Sequence, residues 1–145
     1  MTGKADFSEA QWAQVLEGPP SAGMLVMASQ RGGTLRESFA MAKAYTETRK
    51  QHGQSELIDD IVSARPKMDH TRYHSPDELR TACLGHLTEA VGVLEGKASP
   101  ADVVEYKQFV LAVAEKVAAA HREGGQPVSP AERDAIDDIS QALGR

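Results

Sequence analysis

Apolar side chains recur every three to four residues along most of the chain, which is the spacing of one face of an α-helix. One stripe consists of Leu79, Cys83, Leu87, Val91 and Leu94, with His86 and Ala90 beside it. Another consists of Val103, Phe109 or Val110, Val113 and Val117, with Tyr106 at its edge. The only short apolar run that could form a strand, 24–28, is rich in Met and Ala, which favour helix. The pattern therefore predicts an all-α protein.

Helix starts are marked by capping residues. Ser8 and Gln11 have the spacing of a capping box, and Phe7 can pack on Trp12 as a hydrophobic staple. Three further starts share a Ser-Pro pair followed by an acid, and one more has a Thr-x-x-Glu box. These are Ser75-Pro76, Ser99-Pro100, Ser129-Pro130 and Thr34 with Glu37. In each Ser-Pro pair the serine caps the helix and proline takes the first helical position, where its missing N–H costs nothing.

Glycine and proline mark the expected helix ends. The stops are Gly18-Pro19-Pro20, Gly32-Gly33, Gly53, Pro66, Gly96, Gly124-Gly125 and Gly144. Between them the sequence predicts helices at 8–17, 20–30, 34–52, 55–64, 76–95, 100–122 and 130–143. The helix at 20–30 is apolar nearly all round, so we expect it to lie at the centre. We expect residues 1–145 to form one domain, a bundle of about seven helices.

Composition and charge narrow the classes of function. The chain has 145 residues and a formal net charge of −5, all of which falls in residues 76–145. An acidic balance argues against nucleic-acid binding. The longest apolar run has seven residues, far below the ~20 of a membrane span, and the first twenty residues contain no apolar block typical of a secretory signal. A single cysteine, Cys83, fits a reducing compartment.

Two patterns occur twice in the chain. A helix, a glycine pair and a capped helix occur around Gly32-Gly33 and again around Gly124-Gly125. The motif Ile-Asp-Asp-Ile occurs at 58–61 and at 136–139, with the isoleucines spaced to face the core and the aspartates to face water. A duplicated helix-turn-helix pair is one interpretation, and chance recurrence of capping residues is the other.

The second copy carries a resemblance to a known family. The residues are Glu123-Gly124-Gly125, Val128-Ser129-Pro130-Ala131-Glu132, Ile136, Ile139 and Ala142-Leu143-Gly144. Together they resemble the segment typical of TerB-like domains of bacterial tellurite-resistance proteins, over the last ~25–35 residues. The segment from Arg31 to Glu37 matches more loosely. The second turn carries an insertion, Gln126-Pro127, and Arg31 stands where the first copy would have an acid.

The resemblance implies a helical domain with a cytoplasmic, stress-associated binding role in a bacterium. It also implies acidic contacts to a divalent metal ion near the turns. The acids of this sequence that match are Glu37, Glu123 and Glu132. A protein partner follows from the same resemblance. An exposed face on the helix at 76–95 or 100–122 would allow homo-oligomerisation, which the sequence does not decide.

Two residue pairs are candidates for a metal site or for a catalytic site. His70 and His74 have the i, i+4 spacing of zinc ligands on a helix, with Asp69 adjacent. The next helix begins directly afterwards, so an exposed connector is the simpler interpretation. Cys83 and His86 lie one helical turn apart and could act as nucleophile and base. The apolar stripe around Cys83 favours a buried structural thiol instead.

The sequence therefore favours a non-enzymatic TerB-like interaction module without assigned catalytic residues. Two alternatives stay open. One is a small enzyme that depends on a metal or on the Cys83 thiol, and the other is a helical bundle that binds a ligand in an internal pocket.

Overall fold

The computed structural model describes residues 4–28, 42–47, 56–63, 75–123 and 130–144. Within these ranges every regular element is a helix. They are a 3-10 turn at Lys4–Asp6 and the helices α1 (Glu9–Ala28), α2 (42–47), α3 (Glu56–Ser63), α4 (Pro76–Lys97), α5 (Pro100–Glu123) and α6 (Pro130–Ala142). The predicted all-α bundle is confirmed. None of the described helices combines the length and apolar character that a transmembrane span requires.

The predicted capping box opens α1. The Gln11 N–H donates to Ser8 Oγ at 3.2 Å, and the Ser8 N–H donates to Gln11 Oε1 at 3.1 Å. The rings of Phe7 and Trp12 lie 5.7 Å apart, as the hydrophobic staple predicts. Two backbone donors that the helix leaves unpaired are therefore satisfied locally, and the entry direction of the chain is set.

The Ser-Pro starts of α4 and α5 are also confirmed. Ser75 Oγ accepts from the Glu78 N–H at 3.1 Å, and Ser99 Oγ accepts from the Asp102 N–H at 3.2 Å. The predicted caps at Ser129 and Thr34 lie outside the described residues.

The predicted ends of α4 and α6 can be compared with the structure. Gly144 follows α6 with φ at +78°, in the left-handed region expected of a C-terminal glycine. The helix expected to stop at Gly96 continues one residue further, to Lys97. The Ala98 N–H donates to the Leu94 carbonyl at 2.6 Å and closes that helix.

The predicted break at Gly18-Pro19-Pro20 is wrong. The helices expected at 8–17 and 20–30 are one continuous helix, α1, with both prolines inside it. Proline lacks the N–H that would bond to the carbonyl four residues earlier, so Pro19 leaves the Val15 carbonyl without its helical donor. The hydroxyl of Tyr106 on α5 donates to that carbonyl at 2.7 Å. A tertiary hydrogen bond thus replaces the missing helical one.

The core is built around the second half of α1. Residues 18–26 are all buried, which confirms the central position expected for this apolar segment. The segment packs between α4 and α5, whose predicted apolar stripes are buried against it. Tyr106, expected at the edge of its stripe, lies instead at the centre with no exposed surface.

The remaining helices pack around this centre. Tyr45 of α2 contacts Phe109 of α5 edge-on, with ring centroids 5.3 Å apart. In α3 the two isoleucines of the Ile-Asp-Asp-Ile motif are buried and its aspartates are half-buried. In α6 one aspartate of the matching motif, Asp138, forms an ion pair with Arg80 of α4 at 2.7 Å.

Candidate functional site

The residues expected to bind metal are only partly described. Glu37, His70 and His74 lie outside the described residues. The backbones of Glu123 and Glu132 are placed in the last turn of α5 and the first turn of α6, while their side chains lie outside the description. In the ranges that the structure covers, no three His, Cys, Asp or Glu side chains converge in a way that could hold a metal ion.

The Cys83 thiol is buried in the core. Cys83 has no exposed surface and belongs to the stripe of α4 that packs on the other helices. A thiol in this position has no access to a substrate in solution. The structure therefore agrees with the interpretation of Cys83 as a small hydrophobic residue.

His86 joins α4 to α1. Its Nδ1 lies 3.1 Å from Ser21 Oγ and 3.5 Å from Glu17 Oε1. Ser21 is buried, with 2% of its surface exposed, while His86 and Glu17 are partly exposed at the edge of the interface. Because Ser21 and Glu17 are four residues apart, both side chains leave α1 on the side that faces His86.

Serine, histidine and a carboxylate are also the components of a hydrolytic catalytic triad. The contacts of His86 can therefore be compared with those that a triad requires. In such a triad the nucleophile and the carboxylate bond to different nitrogens of the imidazole ring. Here Ser21 and Glu17 both approach the same nitrogen, and the Ser21 hydroxyl is enclosed between two helices. The arrangement satisfies a buried hydroxyl and links α1 to α4. It does not form the triad.

A second polar contact lies deeper in the bundle, between Tyr106 and the Val15 carbonyl. A Cβ atom added to Gly18 would lie 2.1 Å from the Tyr106 hydroxyl oxygen and 3.2 Å from Cζ of its ring. Glycine at this position is therefore required for the hydroxyl to reach the α1 backbone. Burial raises the pKa of Tyr106 well above its ordinary value, so the hydroxyl stays protonated and acts as a donor.

Ion pairs connect the outer helices. Arg80 donates through Nε and one terminal nitrogen to the same oxygen of Asp138, at 3.2 and 2.7 Å. This hydrogen bond, reinforced by the charge of Asp138, raises the pKa of the exposed Arg80 guanidinium. On the other side of the bundle Lys116 of α5 pairs with Glu47 of α2, which Lys43 also approaches at 4.0 Å. These contacts hold neighbouring helices together at the surface.

The polar contacts that join α1 to the bundle were not predicted from the sequence. Ser21 stands at the start of the longest apolar segment, which is an indirect sign that a polar partner is present in the core. Nothing near His86 in the sequence points to Ser21, which is 65 positions away.

Comparison with known proteins identifies no family for this chain. No family model matches it, and neither a curated protein nor a solved structure is detectably similar. The resemblance to TerB-like domains stays a prediction.

Proposed function

We propose that this protein is a non-enzymatic, TerB-like interaction module of a bacterial stress response. In this proposal the connection between α5 and α6 takes part in binding a protein partner, aided by a weakly bound divalent cation. The observation that carries the proposal is the position of two acids. Glu123 is the last residue of α5 and Glu132 lies in the first turn of α6, so both flank one connection between consecutive helices.

A carboxylate at the C-terminal end of a helix, such as that of Glu123, does not stabilise the helix. The carbonyl groups at the end of a helix carry partial negative charge, so a carboxylate there is unfavourable by about 0.3–1 kcal/mol. A cation bound between these carbonyls and the carboxylate would relieve that repulsion. Carboxylate and carbonyl oxygens are the donors that hard divalent cations such as Ca²⁺ prefer. Glu123 and Glu132 therefore carry the type of side chain that the resemblance implies for a metal contact.

The structure of the bundle supports binding over thiol-dependent catalysis. The Cys83 thiol is enclosed, and His86 is engaged in the contact between α1 and α4. The side chains on which a thiol-dependent enzyme would depend are thus used in packing. The net charge of −5 supports a protein partner over a nucleic acid.

Metal binding can be tested with Ca²⁺, Mg²⁺ and Zn²⁺ as separate probes. We expect one of them to shift the NMR amide signals of residues 121–133 selectively. The double variant Glu123→Gln/Glu132→Gln should lose these shifts, whereas Glu115→Gln, an exposed acid in the middle of α5, should retain them. Shifts spread over the whole acidic surface, or unaffected by the double variant, would contradict the cation site.

Partner binding is tested separately by photo-crosslinking in bacterial cells. A crosslinker at Gln126, in the connection, should capture one defined protein, and excess purified wild-type protein should compete with the capture. The same crosslinker at the exposed Gln108 of α5 serves as the matched control. Equal capture from both positions would count against a docking surface at the connection.

A further inference from the structure

The two prolines of α1 reduce the number of backbone hydrogen bonds in the middle of the helix. In an unbroken α-helix four N–H to C=O bonds cross any point between successive residues. Directly after Gly18, two of the four donors would be the N–H groups of residues 19 and 20, and both residues are proline. The two donors that remain belong to Ser21 and Ala22. The helix is thus continuous in conformation but has lost half of the hydrogen bonds across this point.

A tertiary contact takes the place of one lost bond. The Val15 carbonyl, which Pro19 cannot serve, accepts from the Tyr106 hydroxyl at 2.7 Å. Tyr106 lies on α5 and is held by complete burial of its ring. Gly18 leaves the space through which the hydroxyl reaches the carbonyl. The N-terminal part of α1 is therefore attached to the bundle through a bond that ordinary helices do not have.

The two parts of α1 also differ in burial. From Gly18 onward, residues 18–26 are all buried. Before it, only Trp12 and Val15 are buried among residues 9–17. Two further contacts attach this part: Lys97 Nζ donates to the Asp6 carbonyl at 3.1 Å, and Glu17 Oε1 lies 3.5 Å from His86 Nδ1, so opening also breaks both. Segments with few buried apolar contacts open at lower free energy than the core, so the first part of α1 belongs to the low-stability end of the molecule.

We propose that residues 4–17, the N-terminal arm, open and reclose as a unit about Pro19 and Pro20. The hydrogen bond from the Tyr106 hydroxyl to Val15 is the latch, and residues 18–28 stay packed during opening. Opening exposes the ring of Trp12, which the closed bundle keeps buried. This conformational device is independent of the function proposed above, because it involves α1 and α5 and not the connection between α5 and α6.

Amide hydrogen exchange of the full chain, resolved by NMR, tests the latch. In the wild-type protein we expect residues 13–17 to exchange faster than residues 22–26. Tyr106→Phe should accelerate exchange in the arm by about tenfold relative to residues 22–26, the effect expected for the loss of one buried hydrogen bond. The ratio of the two regions is the measured quantity, because a global loss of stability changes both.

A second substitution makes the test specific. Pro19→Ala restores an N–H that can donate to the Val15 carbonyl within the helix. In this background Tyr106→Phe should change the ratio by less than about threefold. Tyr45→Phe is the matched control: it removes the hydroxyl of another buried tyrosine, whose ring packs on Phe109, and should leave the ratio unchanged.

The exchange rates can either support the latch or overturn it. Equal exchange in both parts of wild-type α1, or the same effect of Tyr106→Phe with and without Pro19, would overturn it. If Tyr106→Phe does not fold, Pro19→Ala alone remains informative. It should slow exchange in the arm several-fold by adding a helical hydrogen bond, and unchanged exchange would reject the latch.

Discussion

The two parts of α1 share one helix but are stabilised in different ways. Residues 9–17 are amphipathic, and their start is set by local contacts, the Ser8 capping box and the packing of Phe7 against Trp12. Residues 18–26 contain Gly18 and two prolines, the residues least suited to a helix interior, and they are completely buried. Local preference explains the first part, and tertiary packing overrides local preference in the second.

The largest expected effect comes from the same substitution placed in both parts. Ala22 is fully buried and Ala13 is exposed. Ala22→Glu places an unpaired carboxylate in the core, so we expect it to lower the free energy of unfolding by more than about 4 kcal/mol. Ala13→Glu should change it by less than about 0.5 kcal/mol. Urea denaturation followed by circular dichroism measures both, and similar losses in the two variants would refute the contrast in burial.

The close approach of the Tyr106 hydroxyl to Gly18 is tested by Gly18→Ala. Because the new Cβ would overlap the Tyr106 hydroxyl, we expect a loss of about 2–3 kcal/mol from overpacking and the broken hydrogen bond. In the Tyr106→Phe background the same substitution should cost less, since the closest overlap is gone. Gly92→Ala is the control: its Cβ would meet no atom within 4 Å, so α4 should gain about 0.5–1 kcal/mol. A Gly18→Ala variant as stable as Gly92→Ala would contradict the close approach.

Alkaline pH should lower the free energy of unfolding through the tyrosines buried in the core. Burial raises the pKa of both Tyr106 and Tyr45 above the ordinary value of about 10. Above that pH the unfolded chain releases tyrosine protons that the folded protein retains, so the free energy of unfolding falls as pH rises toward the raised pKa values. Each tyrosine contributes up to about 1.4 kcal/mol per pH unit.

Below about pH 9 these tyrosines contribute no pH dependence, because both states are protonated. Tyr106→Phe should make the decline between about pH 10 and 11.5 shallower than in the wild-type protein. The measurement is the urea midpoint at a series of pH values. Identical slopes in the two proteins would show that Tyr106 ionises in the folded state as readily as in the unfolded chain.

The smallest effect is expected at the N-terminal cap. Ser8→Ala removes the acceptor for the Gln11 N–H and should lower the free energy of unfolding by about 1 kcal/mol. Ser63→Ala is a suitable control, because the Ser63 hydroxyl donates to the Asp59 carbonyl within α3 and caps no helix start. The control should be nearly neutral. A larger loss for Ser63→Ala than for Ser8→Ala would count against capping as the source of stability in the first part of α1.

The contrast also explains which features could be predicted from the sequence. The caps at Ser8, Ser75 and Ser99 depend on atoms three residues apart, so local pattern was sufficient. The expected break at Pro19 and Pro20 was wrong because the compensating hydroxyl lies 91 positions away from the carbonyl that it serves. The apolar sequence that continues beyond the prolines is the signal that a buried helix could persist there.

The polar contacts of His86 were unpredictable for a similar reason. Helical spacing paired His86 with Cys83, its neighbour on α4, whereas Ser21 and Glu17, which it contacts, lie on α1. Which residues meet across two helices depends on their relative rotation, and a single sequence does not specify that rotation. The acids Glu123 and Glu132 could be placed near one turn because their spacing along the chain is local.

The central claim is that α1 passes through its two prolines as one helix, with the Tyr106 hydroxyl bonded to the Val15 carbonyl. NMR measures both parts directly. We predict helical ¹³Cα shifts from Glu9 to Ala28 without interruption, and a slowly exchanging Tyr106 hydroxyl proton with a contact to the Hα protons of Gly18. Random-coil shifts at residues 17–21, together with a rapidly exchanging hydroxyl proton, would contradict the claim.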